Sequence, residues 1–260
     1  MEDFEQMIEK QLNELKEKAL ASKDAKDEYE YGIHLVMFER YDEGFKFLKS
    51  ASDKGLDDAK YSLGLYYENG IGDETSFTKA KELYEELIES NSAYGYKGLG
   101  DLYFFGNIDK NPNKAKGIEL YKKGIKEGVK DSYVCHFDLG LVYKYGDGVK
   151  RDKSKAFYHM SKAYESMDDP EIDLTLGEAY LFGINGAEKD LIKAHDHLLE
   201  FSSHVSEEDR DLMNEFNEIT SRCKDEEFLD KLYEDIHDEE AHQFDHDVDC
   251  DCGCHHHHHE

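Results

Sequence analysis

The chain has 260 residues, 38% of them hydrophobic, and only two prolines, so a sizeable and mostly helical core is available. Its 61 acidic side chains outnumber the 32 basic ones, and the resulting net charge of -29 repels phosphate backbones and anionic lipid surfaces. Nucleic acid and membrane are therefore not expected as partners. No apolar run reaches the roughly 18 residues that a membrane-spanning helix needs.

The opening stretch MEDFEQMIEKQLNELKEKAL is charged from its second residue and lacks the apolar segment of a secretory leader. The five cysteines form no paired framework, and a reducing cytoplasm is the expected location. Phe4, Ile8, Leu12, Leu15 and Ala19 fall at helical spacing, which predicts an amphipathic helix over 3–20. Residues 1–24 then read as a cap on the open end of a helical array, with a coiled-coil segment as the alternative.

From residue 25 the chain repeats itself. The segments LGLYYENG (63–70), LGDLYFFG (99–106), LGLVYKYG (139–146) and LGEAYLFG (176–183) align Leu63, Leu99, Leu139 and Leu176, then Gly64, Gly100, Gly140 and Gly177. Tyr67, Tyr103, Tyr143 and Tyr180 also align, and Gly70, Gly106, Gly146 and Gly183 close the copies. Each is followed by a capping residue and a Lys-Ala pair. The caps align as Ser76, Asn111, Asp152 and Asp190, with Pro112 at the first helical position of the second copy and that copy's loop one residue short. Every copy thus reads as helix A, a glycine-closed loop and helix B. The closing glycine suits the left-handed position that ends a helix. The mid-helix glycine costs about 1 kcal/mol against alanine, which close approach of the paired helix backbone is expected to offset.

This pattern resembles the Sel1-like repeat family, relatives of the tetratricopeptide repeat. Ala59, Leu63, Gly64, Tyr67, Gly70, Lys79 and Ala80 fit the family motif in the first clear copy. The small first position is Gly95, Cys135 and Ile172 in the later ones. The resemblance implies an all-α solenoid, a right-handed superhelix of helix pairs over 25–200. Its units are a degenerate repeat at 25–56 and clear repeats at 57–91, 92–128, 129–166 and 167–200. It also implies a non-enzymatic interaction scaffold that holds a protein or peptide partner on the groove lined by the A helices, with no cofactor required. Phe104, Phe105, Tyr145 and Phe182 lie between motif positions, where they either contact a partner or pack between repeats, the latter being favoured. Cysteine-rich members described as β-lactamase-like carry a disulfide pair in each repeat. This chain has none, so that activity is not carried over.

Residues 201–244 lose the motif. Ser206 is the expected cap of a helix bearing Leu212, Phe216 and Ile219, and Phe228, Leu232 and Ile236 mark another. These helices are expected to cover the far end. From Ser206 to Asp251 there are 19 acidic and 4 basic residues. Beyond about residue 240 the apolar period stops, so 245–260 reads as a mobile acidic tail. Cys250, Cys252 and Cys254 alternate there and precede His255, His256, His257, His258 and His259, with His237, His242 and His246 upstream. Thiolates and imidazoles suit zinc, nickel or copper, and the alternative function is metal sequestration or delivery through this tail. His195 and His197, two apart on a helix, point to different sides and are not expected to share a metal. Adjacent Cys135 and His136 diverge in the same way and make no nucleophile–base pair.

Overall fold

The structure, a computed structural model, describes residues 2–71, 75–108, 111–126, 128–206 and 209–248, without the side chains of 2–5 and 238–248. It is all-α: thirteen helices are found among the described residues. The first eight are α1 (Glu2–Ser22), α2 (Ala25–Met37), α3 (Tyr41–Asp53), α4 (Asp57–Asn69), α5 (Phe77–Glu89), α6 (Ala93–Phe104), α7 (Lys114–Gly124) and α8 (Tyr133–Tyr145). The others are α9 (Lys153–Ala163), α10 (Pro170–Phe182), α11 (Leu191–His204), α12 (Arg210–Arg222) and α13 (Glu226–Val248). They gather in two compact units, Met1–Arg151 and Asp152–Glu260, so the repeats expected over 25–200 are shared between the two.

In the first unit α2 pairs with α3, α4 with α5, and α6 with α7. The mid-helix glycines explain the pairing. A methyl group on Gly32 would sit 2.9 Å from Leu48, and one on Gly100 would sit 2.5 Å from the Tyr121 ring. A methyl on Gly64 would collide with the Tyr84 ring. The omitted side chain therefore makes room for a large side chain of helix B, not for its backbone, which corrects the expectation. The close backbone approach lies four residues earlier on helix B. There, methyl groups on Gly44 and Gly117 would come within 2.9 Å and 2.8 Å of the carbonyls of Gly32 and Gly100. Ala80 holds that position in α5 and is fully buried. Tyr84 also joins one pair to the next, because a methyl on Gly98 of α6 would meet the same ring at 2.5 Å. A bridge between Ser92 and Lys130 adds backbone pairing between the loops that follow α5 and α7.

The motif tyrosine anchors the loop between the paired helices. Its carbonyl accepts the N–H of the residue that caps helix B, Ser76 for Tyr67 and Asn113 for Tyr103, both at 2.7 Å. Its ring carries the motif lysine, Lys79 at 4.6 Å from the Tyr67 centroid and Lys116 at 3.5 Å from that of Tyr103. These contacts correct the second copy. Asn113, not Asn111, caps α7, its side chain accepting the Lys116 N–H at 3.1 Å. Pro112 lies before the cap, and Ala115 is exposed while Gly117 is buried. Lys114-Ala115 imitates the motif dipeptide two positions early. The loop is consequently not short: Asn113 follows Gly106 by the same seven residues that separate Asp190 from Gly183.

At the start of this unit α1 lays Ile8, Leu12, Leu15 and Ala19 against Tyr31 and Leu35 of α2. The Phe4 side chain lies outside the described residues.

The second unit repeats the scheme in α10 and α11. A methyl on Gly177 would meet Leu198 at 2.7 Å, Asp190 donates its N–H to Tyr180, and Lys193 covers the Tyr180 ring. Gly183 ends α10 at φ 61°, left-handed as expected. Phe216 and Ile219 of α12 and Phe228 and Leu232 of α13 close over Leu198 and Phe201, with Cys223 half-buried at their edge. Two expectations change here. The α12 helix opens after Asp209 rather than Ser206, whose carbonyl instead accepts the Asp209 N–H. The α13 helix runs on to Val248, past the point where its apolar period fades. Periodicity reports burial, and nothing in DEEAHQFDHDV, free of glycine and proline, stops a helix.

One buried carboxylate ties this unit together. Glu178 of α10 accepts from Lys153 of α9 at 2.9 and 3.0 Å and from Arg222 of α12 at 2.8 Å. Arg222 also lies 4.5 Å from the Phe182 ring. Burial alone would raise the Glu178 pKa, but the two cations hold it below its ordinary 4.5.

Two outcomes follow from this packing. Gly100→Ala adds about 1 kcal/mol of helix propensity but overpacks against Tyr121 by about 1–3 kcal/mol, so urea unfolding moves to lower denaturant. In a Tyr121→Leu background the same alanine costs less, a non-additivity that a double-mutant cycle measures. Glu178→Gln costs about 1–2 kcal/mol at neutral pH, below the fully buried case because both cations can rehydrate. The native advantage is complete above 4.5 and is lost as the pH falls through the lower folded value, which melting curves across that range check.

Candidate partner-binding groove

Helix α6 places Lys97, Asp101 and Phe104 on one face, at i, i+4 and i+7. Helix α8 packs beside it and presents Asp138, Leu141 and Tyr145. Between them lies a cavity of about 640 Å³, also lined by Phe105, Tyr121, Phe137, Val142, Gly146 and Asp147. That volume falls in the range of ligand pockets.

The floor of the cavity is polar. Lys97 Nζ donates to Asp138 Oδ1 at 2.8 Å, to Asp138 Oδ2 at 3.1 Å and to Asp101 Oδ2 at 3.2 Å. The Tyr121 hydroxyl donates to Asp101 Oδ1 at 2.6 Å. Burial pushes the Asp138 carboxyl up to about 7; Lys97 opposes the rise and Asp101 adds to it. Burial disfavours the Lys97 charge, yet the two carboxylates outweigh it and hold the amine well above its ordinary value. On α4, Glu68 accepts from Tyr84 at 3.2 Å and from Asn107 at 2.9 Å, with its pKa raised mainly by burial.

The rim is aromatic. Phe105 is 63% exposed and Tyr145 54% exposed. Phe104 is buried instead, its ring centroid 6.1 Å from Tyr121 and 5.2 Å from Phe105. Lys114 pairs with Asp147 at the edge and sits 5.3 Å from the Phe104 ring. The four aromatic residues singled out in the sequence thus divide. Phe104 packs inward, on Tyr121 of its own repeat rather than between repeats. Phe105 and Tyr145 face outward. Phe182 lies in the second unit, against the core there and beneath Arg222.

The other sequence candidates stay apart. His195 lies 2.9 Å from Asp235 of α13, whereas His197 lies 2.7 Å from Asp173 of α10. Cys135 is buried, its Sγ 3.5 Å from the Ala93 carbonyl, and burial pushes its thiol well above the ordinary value. A reactive thiolate is disfavoured there. Cys250, Cys252, Cys254 and His255 to His259 lie outside the described residues. Sequence reasoning did not single out Asp168, Glu200 and His204, three exposed side chains whose ligand-type atoms lie within 4.8 Å of one another.

It also missed the paired charges between the helices. Asp101 and Glu178 occupy the same repeat position, two residues past the motif leucine, where the other copies have Leu65 and Leu141. A carboxylate at a position otherwise held by leucine was the available signal.

No described helix is long and apolar enough to cross a membrane. The family model of the Sel1 repeat matches residues 20–56, 57–92, 93–129, 134–166 and 176–203. Protein sel-1 homolog 2 of Mus musculus and that of Rattus norvegicus are each 30% identical over 139 residues, 53% of this chain. The match spans only 19% of the length of either relative. The fold is similar to the crystal structure of a Sel1 repeat protein from Oxalobacter formigenes, at 20% identity and a TM-score of 0.55, over 83% of this chain and 88% of that one. A sel1 repeat protein from Klebsiella pneumoniae subsp. pneumoniae gives 19% identity and a TM-score of 0.50, over 80% and 99%. With five matched copies covering more than half of its residues, the chain belongs to the Sel1 repeat family.

Proposed function

We propose that the protein is a non-enzymatic interaction scaffold and that the groove between α6 and α8 receives a segment of a protein partner. Membership of a repeat family that generally mediates protein interactions supports this reading. The observation that carries it is the exposure of Phe105 and Tyr145 on either side of the 640 Å³ cavity. The repeat motif requires an aromatic residue at neither position. Exposed aromatic side chains around a concave surface are the anchors that interfaces use. The charged groups of the floor are already engaged in fixing α6 against α8, which suits a rigid docking surface. A photo-crosslinking residue at position 105 or 145 is expected to capture a partner in native lysate, whereas one at Tyr158, equally exposed in the second unit, captures much less. Equal yields at all three positions contradict the reading.

A second reading, metal sequestration or delivery through Cys250, Cys252, Cys254 and His255 to His259, rests on the chemistry of the donors. Removing residues 249–260 is expected to abolish zinc and nickel binding in a competition titration with a chromophoric chelator and to leave the melting curve unchanged. Binding retained by the shortened chain contradicts this second reading.

A further inference from the structure

We propose that the groove selects a basic segment, in which a lysine or arginine sits over Asp138 and Asp101 and an adjacent apolar residue packs between Phe105 and Tyr145. The inference rests on the groove being the docking surface and adds the chemistry of what docks.

The argument is one of donors and acceptors. Lys97 is the cation of the floor, and an ammonium group has three N–H donors. All three are spent, on the two oxygens of Asp138 and on Asp101. Lys114, at the rim, is engaged by Asp147. Lys97 therefore has no donor to spare for a carboxylate or a phosphate, and the charge of Lys114 is already paired. Each carboxylate oxygen can accept two hydrogen bonds. Among the described residues Asp138 accepts from Lys97 on each oxygen, and Asp101 accepts from Tyr121 on one oxygen and from Lys97 on the other. Above the Asp138 pKa of about 7, what the floor still offers is acceptor capacity of negative sign, so the complementary ligand is rich in donors and positively charged.

The walls agree with this. Aromatic faces attract cations, and the chain's own lysines already show the preference: Lys144 lies 5.3 Å from the Tyr145 ring and Lys114 the same distance from Phe104. The net charge of -29 steers a basic segment towards the protein and speeds association at low salt. An acidic or phosphorylated segment meets repulsion at long range and no free donor at the floor on arrival.

The test uses the full chain. Random dodecapeptides displayed on phage are selected against it, and the best binders are synthesised with a fluorophore for polarisation titrations. Binders are expected to carry lysine or arginine beside an aliphatic or aromatic residue and to weaken with salt. They should lose about tenfold in affinity on Asp138→Asn and on Phe105→Ala. Should Asp138→Asn melt early, replacing the basic residue of the peptide by norleucine makes the same test without altering the protein. Neutral or acidic binders that still depend on Phe105 and Tyr145 overturn the basic segment and leave the groove standing. Binders indifferent to Phe105 and Tyr145 overturn both.

Discussion

The structure depends on a side chain that is absent. Wherever two helices of a repeat pair within a unit, helix A omits a side chain and helix B inserts a large one into the space. Gly32 receives Leu48, Gly64 receives Tyr84, Gly100 receives Tyr121 and Gly177 receives Leu198. Protein interiors tolerate little overlap or void, so the two choices are coupled: a glycine without its large neighbour leaves a hole, and the large residue without its glycine does not fit. Four residues before each inserted side chain, helix B must itself be small, as Gly44, Ala80, Gly117 and Ala194 are. The propensity lost at the glycines is offset by burying whole leucine and tyrosine side chains.

The same economy of space fixes the loops. A motif tyrosine offers its carbonyl to the backbone of the next cap and its ring to the next motif lysine. One residue therefore sets both where helix B begins and how it lies. That is why the cap can shift to Asn113 in the second copy without disturbing the fold. The tyrosine geometry selects the cap, and the local dipeptide does not.

Positions outside this frame are free to carry charge, and two of them do so, Glu178 buried and Asp101 half-buried. Asp101 and Glu178 stand where leucine would serve the fold; Asp101 is paired by Lys97 of its own helix, which also reaches Asp138 of α8, and Glu178 by cations from α9 and α12. Buried ion pairs of this kind add little net stability but fix register strongly. In the first unit the arrangement holds α6 and α8 at the spacing that leaves the aromatic-rimmed cavity. In the second, Arg222 covers Phe182, and the cavity there, lined by Leu181, Phe182 and Arg222, has a different character.

The sequence by itself determined the helix pairs, the motif and its family. A glycine, a leucine and a tyrosine recurring together have one common cause in packing, and that cause is local enough to be read from spacing. It did not determine which aromatic residues would face outward. Phe104 and Phe105 are neighbours, yet one packs on Tyr121 and the other is exposed, because a helix turns about 100° per residue and only the position of α7 and α8 shows which side is covered. Nor did it reveal the pairing of Lys97 with Asp138, 41 residues apart. No spacing rule links those two side chains, which meet only once α8 has packed against α6. Tertiary structure also decided the cap at Asn113, where Asn111 and Asn113 compete and the bond from the Asn113 N–H to the Tyr103 carbonyl chooses between them.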